Sequence, residues 1–264
     1  LSYTTVVTLI FVVFAVLELR AGRFLQPDAR WRDTAIDVAS GLVLPMLVVP
    51  AVFTASPTLV AWIWPGSEGA LADWPWWAMF GVLLLADDLT QYLYHRASHA
   101  VPWLFRLHRA HHSAPYISIR VTYRNNFLYY AMMPGLWLSA ALVHAGFAPV
   151  YYWYVIAKML IVTSAHSSVG WDDWLLSRRR LGPLLWILQR VVSTPSTHAA
   201  HHGRHATDRA TFYKGNYGNF LFLWDVLFGT AHITNRRPNS YGLENIAPAS
   251  WLEELAWPFF GRRR

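Results

Sequence analysis

The chain has 264 residues, of which 55% are hydrophobic, 16% aromatic and only 14% charged. A soluble domain carries roughly 25% charged residues, so these proportions exclude a disordered polar tail and argue against an ordinary soluble globule. The 15 Trp suit the interfacial aromatic belts of a membrane protein. The absence of Cys excludes a haem-thiolate oxygenase, an iron–sulfur cluster, a thiolate zinc site and a thiol nucleophile.

Five apolar segments follow in chain order, at about 2–19, 38–64, 74–94, 127–147 and 148–165. The first has no basic leader and no small-residue cleavage site, so it reads as a span rather than a signal peptide. Pro45, Pro50 and Pro57 interrupt the second, which leaves a re-entrant path open beside a full crossing. The net charge of +7 would suit nucleic acid, but 21 of the 22 Lys and Arg lie in alternate connections: 20–37, 95–126 and 166 to the end. The connections 65–73 and 144–149 hold none, and Lys158, inside the fifth segment, is the exception. The positive-inside rule places the basic connections in the cytoplasm, and no nucleic-acid partner is expected. An excess of 20 Arg over 2 Lys suits a GC-rich bacterial genome, hence an inner membrane. Residues 171–192 mix Trp, Arg and short apolar runs and are expected to lie along the membrane surface. Ser250-Trp251-Leu252-Glu253 reads as a capping box that opens a short helix. The predicted fold is therefore an all-α integral membrane protein with about four to five membrane segments.

The histidines form three clusters: His95-Arg-Ala-Ser-His99, His108-Arg-Ala-His111-His112 and His198-Ala-Ala-His201-His202. On a helix, residues three or four apart share a face. The first pair can therefore grip one metal, and each H-x-x-H-H triad can grip one or span two. Imidazole suits iron, zinc and copper. Together with His166, at the end of the fifth segment, the clusters return nine histidines to one membrane face. His205 follows the third cluster by three residues and is a possible additional ligand. His144 and His232 read as ordinary polar residues. Asp88 lies inside an apolar segment, where charge is costly and functional by default. It falls on the helical face of His95, where it would accept the N–H of a ligating imidazole or pair with an arginine such as Arg124. A metalloprotease is disfavoured because no H-E-x-x-H is present. A metal transporter is disfavoured because transport sites lie near the bilayer midplane.

These motifs resemble the fatty acid hydroxylase / sterol desaturase superfamily of integral-membrane di-iron oxygenases. Asp88-Leu-Thr-Gln-Tyr-Leu-Tyr-His95-Arg-Ala-Ser-His99, His108-Arg-Ala-His111-His112-Ser113, Thr163-Ser-Ala-His166-Ser167 and Pro195-Ser-Thr-His198-Ala-Ala-His201-His202 match its histidine motifs. Asn216-Tyr217-Gly218-Asn219 and Trp224-Asp225-Val-Leu-Phe228-Gly229-Thr230 match its closing signature. Ser168 departs from the family, whose members often carry Asn there. The resemblance implies a single membrane-embedded domain over 1–264, with a motif-bearing core at about 88–230 and a cytosolic helical cap. It implies a dimetal site of two iron ions on His95, His99, His108, His111, His112, His166, His198, His201 and His202, with zinc a possible substitute. Asn216 is expected to support the site by hydrogen bonds, with Trp224 and Asp225 as packing and capping residues. The implied activity is dioxygen-dependent hydroxylation of a lipid such as an acyl chain or sterol; desaturation is the alternative, and metal binding or transport a more distant one. No haem or flavin is expected in this chain, which lacks G-x-G-x-x-G. The electron donor would be external: a ferredoxin, a haem carrier or a flavin reductase.

Overall fold

The computed structural model describes residues 1–247 and 249–261. Among them the regular structure is helical, apart from two isolated bridges, Val192–Leu221 and Gly203–Tyr241. The helices are α1 Tyr3–Arg20, α2 Trp31–Val43, α3 Val49–Ile63, α4 Trp76–Leu83, α5 Thr90–Ala100, α6 Pro102–His112 and α7 Phe127–Ala131. They continue as α8 Pro134–Leu142, α9 Ala148–His166, α10 Trp171–Leu176, α11 Gly182–Val191, α12 Pro195–His202, α13 Leu223–Leu227 and α14 Trp251–Ala256.

Among the described residues, three helical stretches are long and apolar enough to cross a membrane: Tyr3–Arg20, Trp31–Ile63 and Pro134–His166. Helix α1 opens on Ser2, whose hydroxyl accepts the Thr5 N–H at 3.2 Å. Its Leu9, Val12 and Val13 stay exposed, as a lipid-facing helix requires. The second stretch does not end at its prolines. The π-helical turn Leu44–Val48 absorbs Pro45 and joins α2 to α3, which carries Pro50 in its first turn and Pro57 inside. Packing against α8 supports it. It is helical from Trp31, in the basic connection that the sequence reading placed between segments. At 33 residues it reaches roughly 50 Å at 1.5 Å per residue, so its first turns extend beyond a hydrocarbon layer of about 30 Å.

The 74–94 segment forms α4 and α5, joined by the π-helical turn Leu84–Leu89. Asp87 in that turn meets Lys158 of α9 at 2.7 Å, so the lone basic residue inside an apolar segment has a carboxylate partner. The third long stretch breaks at Gly146, whose φ of 120° no ordinary side chain adopts. A Cβ there would lie 2.7 Å from the Ala72 nitrogen. The break separates α8 from α9 where the sequence reading put a connection. The two arginine-free connections meet there: Gly69 N–H donates to His144 O at 3.0 Å and Leu71 N–H to Ala145 O at 2.8 Å.

Two of the arginine-bearing connections, 20–37 and 95–126, meet separately, around Arg124. Its guanidinium, 0% exposed, reaches Asp37 at 2.8 Å, Asp33 at 3.0 Å and the Ala110 carbonyl at 2.7 Å. This buried ion network ties α2 to the end of α6. Along the outside, α10 and α11 expose Trp174, Leu184, Trp186 and Ile187. Arg178 stands 3.7 Å over the Trp174 ring and Arg190 3.9 Å over Trp186, a pairing suited to a membrane surface. Ser250 caps α14 by accepting the Glu253 N–H at 3.1 Å, which is the serine half of the expected capping box; the return bond from the Ser250 N–H to the Glu253 carboxylate does not form among the described residues.

Removing one partner from a buried ion network leaves the others uncompensated. Arg124→Met is expected to cost about 3–5 kcal/mol of stability, read by unfolding of the detergent-solubilised protein. A change below about 1 kcal/mol, the scale of an exposed pair, would contradict the structural role of this network.

Candidate metal centre

Four helices bring the nine clustered histidines together. His95 and His99 lie one turn apart on α5. His108, His111 and His112 end α6, His166 ends α9, and His198, His201 and His202 end α12. The imidazoles sort into two groups, His95, His99, His108, His112 and His201 in one and His111, His166, His198 and His202 in the other. Within each group the potential ligand atoms all lie within 4.8 Å of one another. Each H-x-x-H-H triad is divided. His108 and His112, four apart, join the first group while His111 turns to the second; His198 and His202 join the second while His201 turns to the first. Each triad therefore contributes to both groups.

Hydrogen bonds behind the rings fix the tautomers. Nδ1–H of His95 donates to Tyr217 O at 2.7 Å, and that of His201 to Gly215 O at 2.7 Å. His166 donates to Val162 O at 2.8 Å, His111 to Val121 O at 3.1 Å and His108 to Asn125 Oδ1 at 2.9 Å. A carbonyl only accepts, so Nδ1 carries the proton and Nε2 is left as a lone pair. These lone pairs converge. Nε2 of His95 and His201 are 3.0 Å apart, and Nε2 of His111 and His166 are 3.4 Å apart. With both Nδ1 positions already protonated, a neutral pair has no hydrogen to share between its Nε2 atoms. Among the described residues, His99 Nε2 and His198 Nδ1 are buried with no partner. Protonation does not relieve the crowding, because burial holds these rings neutral. It pushes His95 down to about 4, and burial together with neighbouring imidazoles pushes His108, His111, His112, His198, His201 and His202 well below the usual range. Buried neutral lone pairs aimed at common points, with no carboxylate in either group, fit cations of a transition metal that accepts imidazole.

The other singled-out residues stand behind or outside the centre. Asp88 does not accept from a histidine and does not pair with Arg124. Its Oδ2 accepts the Trp224 indole N–H at 2.8 Å and the Leu221 N–H at 3.1 Å, because the turn before α13 folds over this face of the helix. Asn216 donates to Thr197 O at 2.8 Å and accepts the His232 N–H at 2.7 Å, which braces the turn of α12 that starts the third cluster. Asp225 accepts the N–H groups of Tyr217 at 2.8 Å and Gly218 at 2.6 Å, so it holds the carbonyl that orients His95; burial raises its carboxyl to about 6. His205 joins neither group. Gly203 ends α12 and leads the chain outward, where His205 pairs with Glu244 at 2.9 Å. His144 bonds Ser67 at 3.1 Å, and His232 bonds the Arg209 carbonyl at 3.2 Å. The sequence reading missed Asn125, which orients His108, and the carbonyls of Val121 and Arg124, which orient His111. Backbone carbonyls leave no mark in a sequence.

Fold and centre together define a class: an all-helical membrane protein whose clustered histidines are able to hold metal. Residues 80–230 match the Fatty acid hydroxylase family, and the chain belongs to it. It is 26% identical to alkylglycerol monooxygenase of Homo sapiens over 272 residues, 98% of this chain and 54% of that protein. It is 28% identical to ornithine lipid hydroxylase OlsE of Rhizobium tropici over 258 residues, 92% of this chain and 72% of that one. It is 31% identical to fatty acid hydroxylase vlmA of Lecanicillium sp over 170 residues, 61% and 44% of the two chains. Against the alkylglycerol monooxygenases of Homo sapiens and Danio rerio the chain spans about half of their length, 54% and 48%. No solved structure matches.

Histidines held neutral in the fold take up protons more readily once unfolded. Stability of the metal-free protein is therefore full above the ordinary imidazole value of 6.5 and falls as pH drops below it, toward about 4 where folded His95 protonates. Unfolding temperatures measured across that window are expected to decline steadily with acid, and a flat profile would contradict the burial of neutral imidazoles.

Proposed function

We propose that this chain is a membrane di-iron oxygenase that hydroxylates a C–H bond of a lipid, with dioxygen and two external electrons. The overall reaction takes the lipid, dioxygen, two electrons and two protons to an alcohol and water. The observation that carries this reading is the pair of all-imidazole groups, with ligand atoms within 4.8 Å in each, built at the ends of helices that include α9 of a membrane-crossing stretch. The proposed metal ligands are His95, His99, His108, His112 and His201 for one iron and His111, His166, His198 and His202 for the other. Two iron ions held there would supply the redox chemistry toward dioxygen that an unactivated C–H bond needs and that zinc lacks.

The chain's own residues do the rest. Carbonyls of Tyr217, Gly215, Val162 and Val121 keep the Nδ1 protons in place, so the Nε2 lone pairs face the metals. Burial of eight of the nine rings excludes bulk water, and His99 alone is partly exposed. The apolar helices let a lipid present its chain from the bilayer side. Exposed Arg96, Arg106, Arg204, Arg209 and Arg236 suit the docking of an acidic electron carrier, with a ferredoxin, a haem carrier or a flavin reductase as the candidates. The whole chain acts as one unit, since Asp33 and Asp37 of α2 bond Arg124 between the second and third histidine motifs. The basic end faces the cytoplasm of a bacterial inner membrane by the positive-inside rule. Relatives named as hydroxylases or monooxygenases favour hydroxylation over desaturation.

Comparative lipid mass spectrometry tests this reading. Cells expressing the chain with an electron donor are expected to accumulate a lipid heavier by one oxygen, in air only. The His111→Ala/His112→Ala chain should lose that product. Loss of two hydrogens would make the enzyme a desaturase, and an unchanged product in the double variant would remove the histidines from the reaction.

A further inference from the structure

Glu18 lies outside the matched family region, in the last turn of a helix whose other residues are only partly buried or exposed. It is 0% exposed, and a carboxylate in such a place is costly unless it is satisfied. No cation pairs with it among the described residues. Four donors satisfy it instead. Its Oε1 accepts the Ser168 N–H at 2.8 Å, the Ser167 hydroxyl at 3.0 Å and the Ile119 N–H at 3.1 Å. Its Oε2 accepts the Ser118 hydroxyl at 2.6 Å. Arg23, one turn further on, donates to the Ser168 carbonyl at 2.8 Å, so Glu18 and Arg23 grip both ends of one residue's backbone.

The two segments held this way lead directly to the four-histidine group. Ser167 follows His166. Ile119 stands two residues before Val121, whose carbonyl takes the His111 Nδ1–H. We infer that Glu18, with Arg23, is the positioning residue of the four-histidine metal site, setting the backbones on which His111 and His166 depend. This rests on the reading that both histidine groups hold metal. The interaction works by acceptance rather than by charge. A glutamine amide oxygen can take the three donors at Oε1, while its NH2 donates to the Ser118 oxygen after that hydroxyl turns. Leucine offers neither.

Zinc binding to the metal-free, full-length protein in lipid nanodiscs tests the inference without turnover. Wild type is expected to bind two zinc ions; failure of wild type to do so would overturn the metal reading itself and be visible before any variant is made. Glu18→Leu should weaken one of the two sites by about 10–100-fold, the usual effect of losing a residue that orients a ligand, and Glu18→Gln should leave both intact. The site is assigned by combination. In a His202→Ala chain, where the four-histidine site is already impaired, Glu18→Leu should change nothing further at the remaining site. In a His99→Ala/His112→Ala chain, where the five-histidine group keeps only three ligands, it should weaken the better site that is left. Wild-type zinc affinity in Glu18→Leu, equal losses in Glu18→Gln and Glu18→Leu, or a further loss in the His202→Ala background would each overturn the proposal. Should Glu18→Leu fail to fold, Arg23→Met removes only the Ser168 carbonyl contact. It should weaken the same site, and unchanged zinc binding in it would overturn the inference.

Discussion

The structure depends on one constraint: nine imidazoles packed against one another, mostly edge to face, nearly all buried, with no carboxylate among them. Left to themselves, such rings would separate or protonate. Burial blocks protonation, as it does for His95, held down to about 4, and the carbonyls behind the rings block a change of tautomer. The Nε2 atoms of His95 and His201 thus face each other at 3.0 Å with no proton to share. A scaffold that holds like dipoles together in this way costs stability of its own, and a cation is what relieves it.

The surrounding architecture follows from that cost. The histidine-bearing helix ends need rigid backing, and the chain supplies it with buried polar contacts rather than with apolar packing alone. Asp225 holds the Tyr217 and Gly218 amides, Asn216 spans from Thr197 to His232, and Arg124 joins α2 to the end of α6. Asp88 serves the same purpose one layer further out, through Trp224 and Leu221. Asp225, Asn216 and Arg124 are buried polar groups with their partners in place, which is the condition under which such groups rigidify a fold instead of weakening it; Asp88 is satisfied only at Oδ2, and its buried Oδ1 has no partner among the described residues. The long apolar helices keep exposed apolar faces, and the histidine groups are built at the ends of helices that include α9.

Much of the centre is legible in the sequence, because spacing of three and four residues on a helix has one geometric meaning. His95 with His99 could be paired from that spacing alone, and each triad marked as able to grip one metal or span two. The alternation of basic and arginine-free connections identified which ends meet, and the contact between the 65–73 and 144–149 connections agrees with it. The division of each triad between two groups was not legible, because it depends on how α6 and α12 face each other. Nor were the partners of Asp88, which lie more than a hundred residues away at Leu221 and Trp224. His205 follows the third cluster by only three residues, but Gly203 ends α12 between them and carries it away from both groups. The prolines of the second segment suggested interruption, but a π-helical turn and a neighbouring helix accommodate them. Glu18 left no signal at all, since only tertiary contacts show why an acid ends the first apolar helix.

The central claim is that the two histidine groups are two neighbouring metal sites. Its most direct test is a count of iron and zinc in full-length protein isolated from iron-supplemented cells. The account predicts two transition-metal ions per folded chain, and one fewer when either the His99/His112 pair or the His198/His202 pair is replaced by alanine. A folded, stable chain that retains no metal, or only one ion that neither substitution removes, would contradict it.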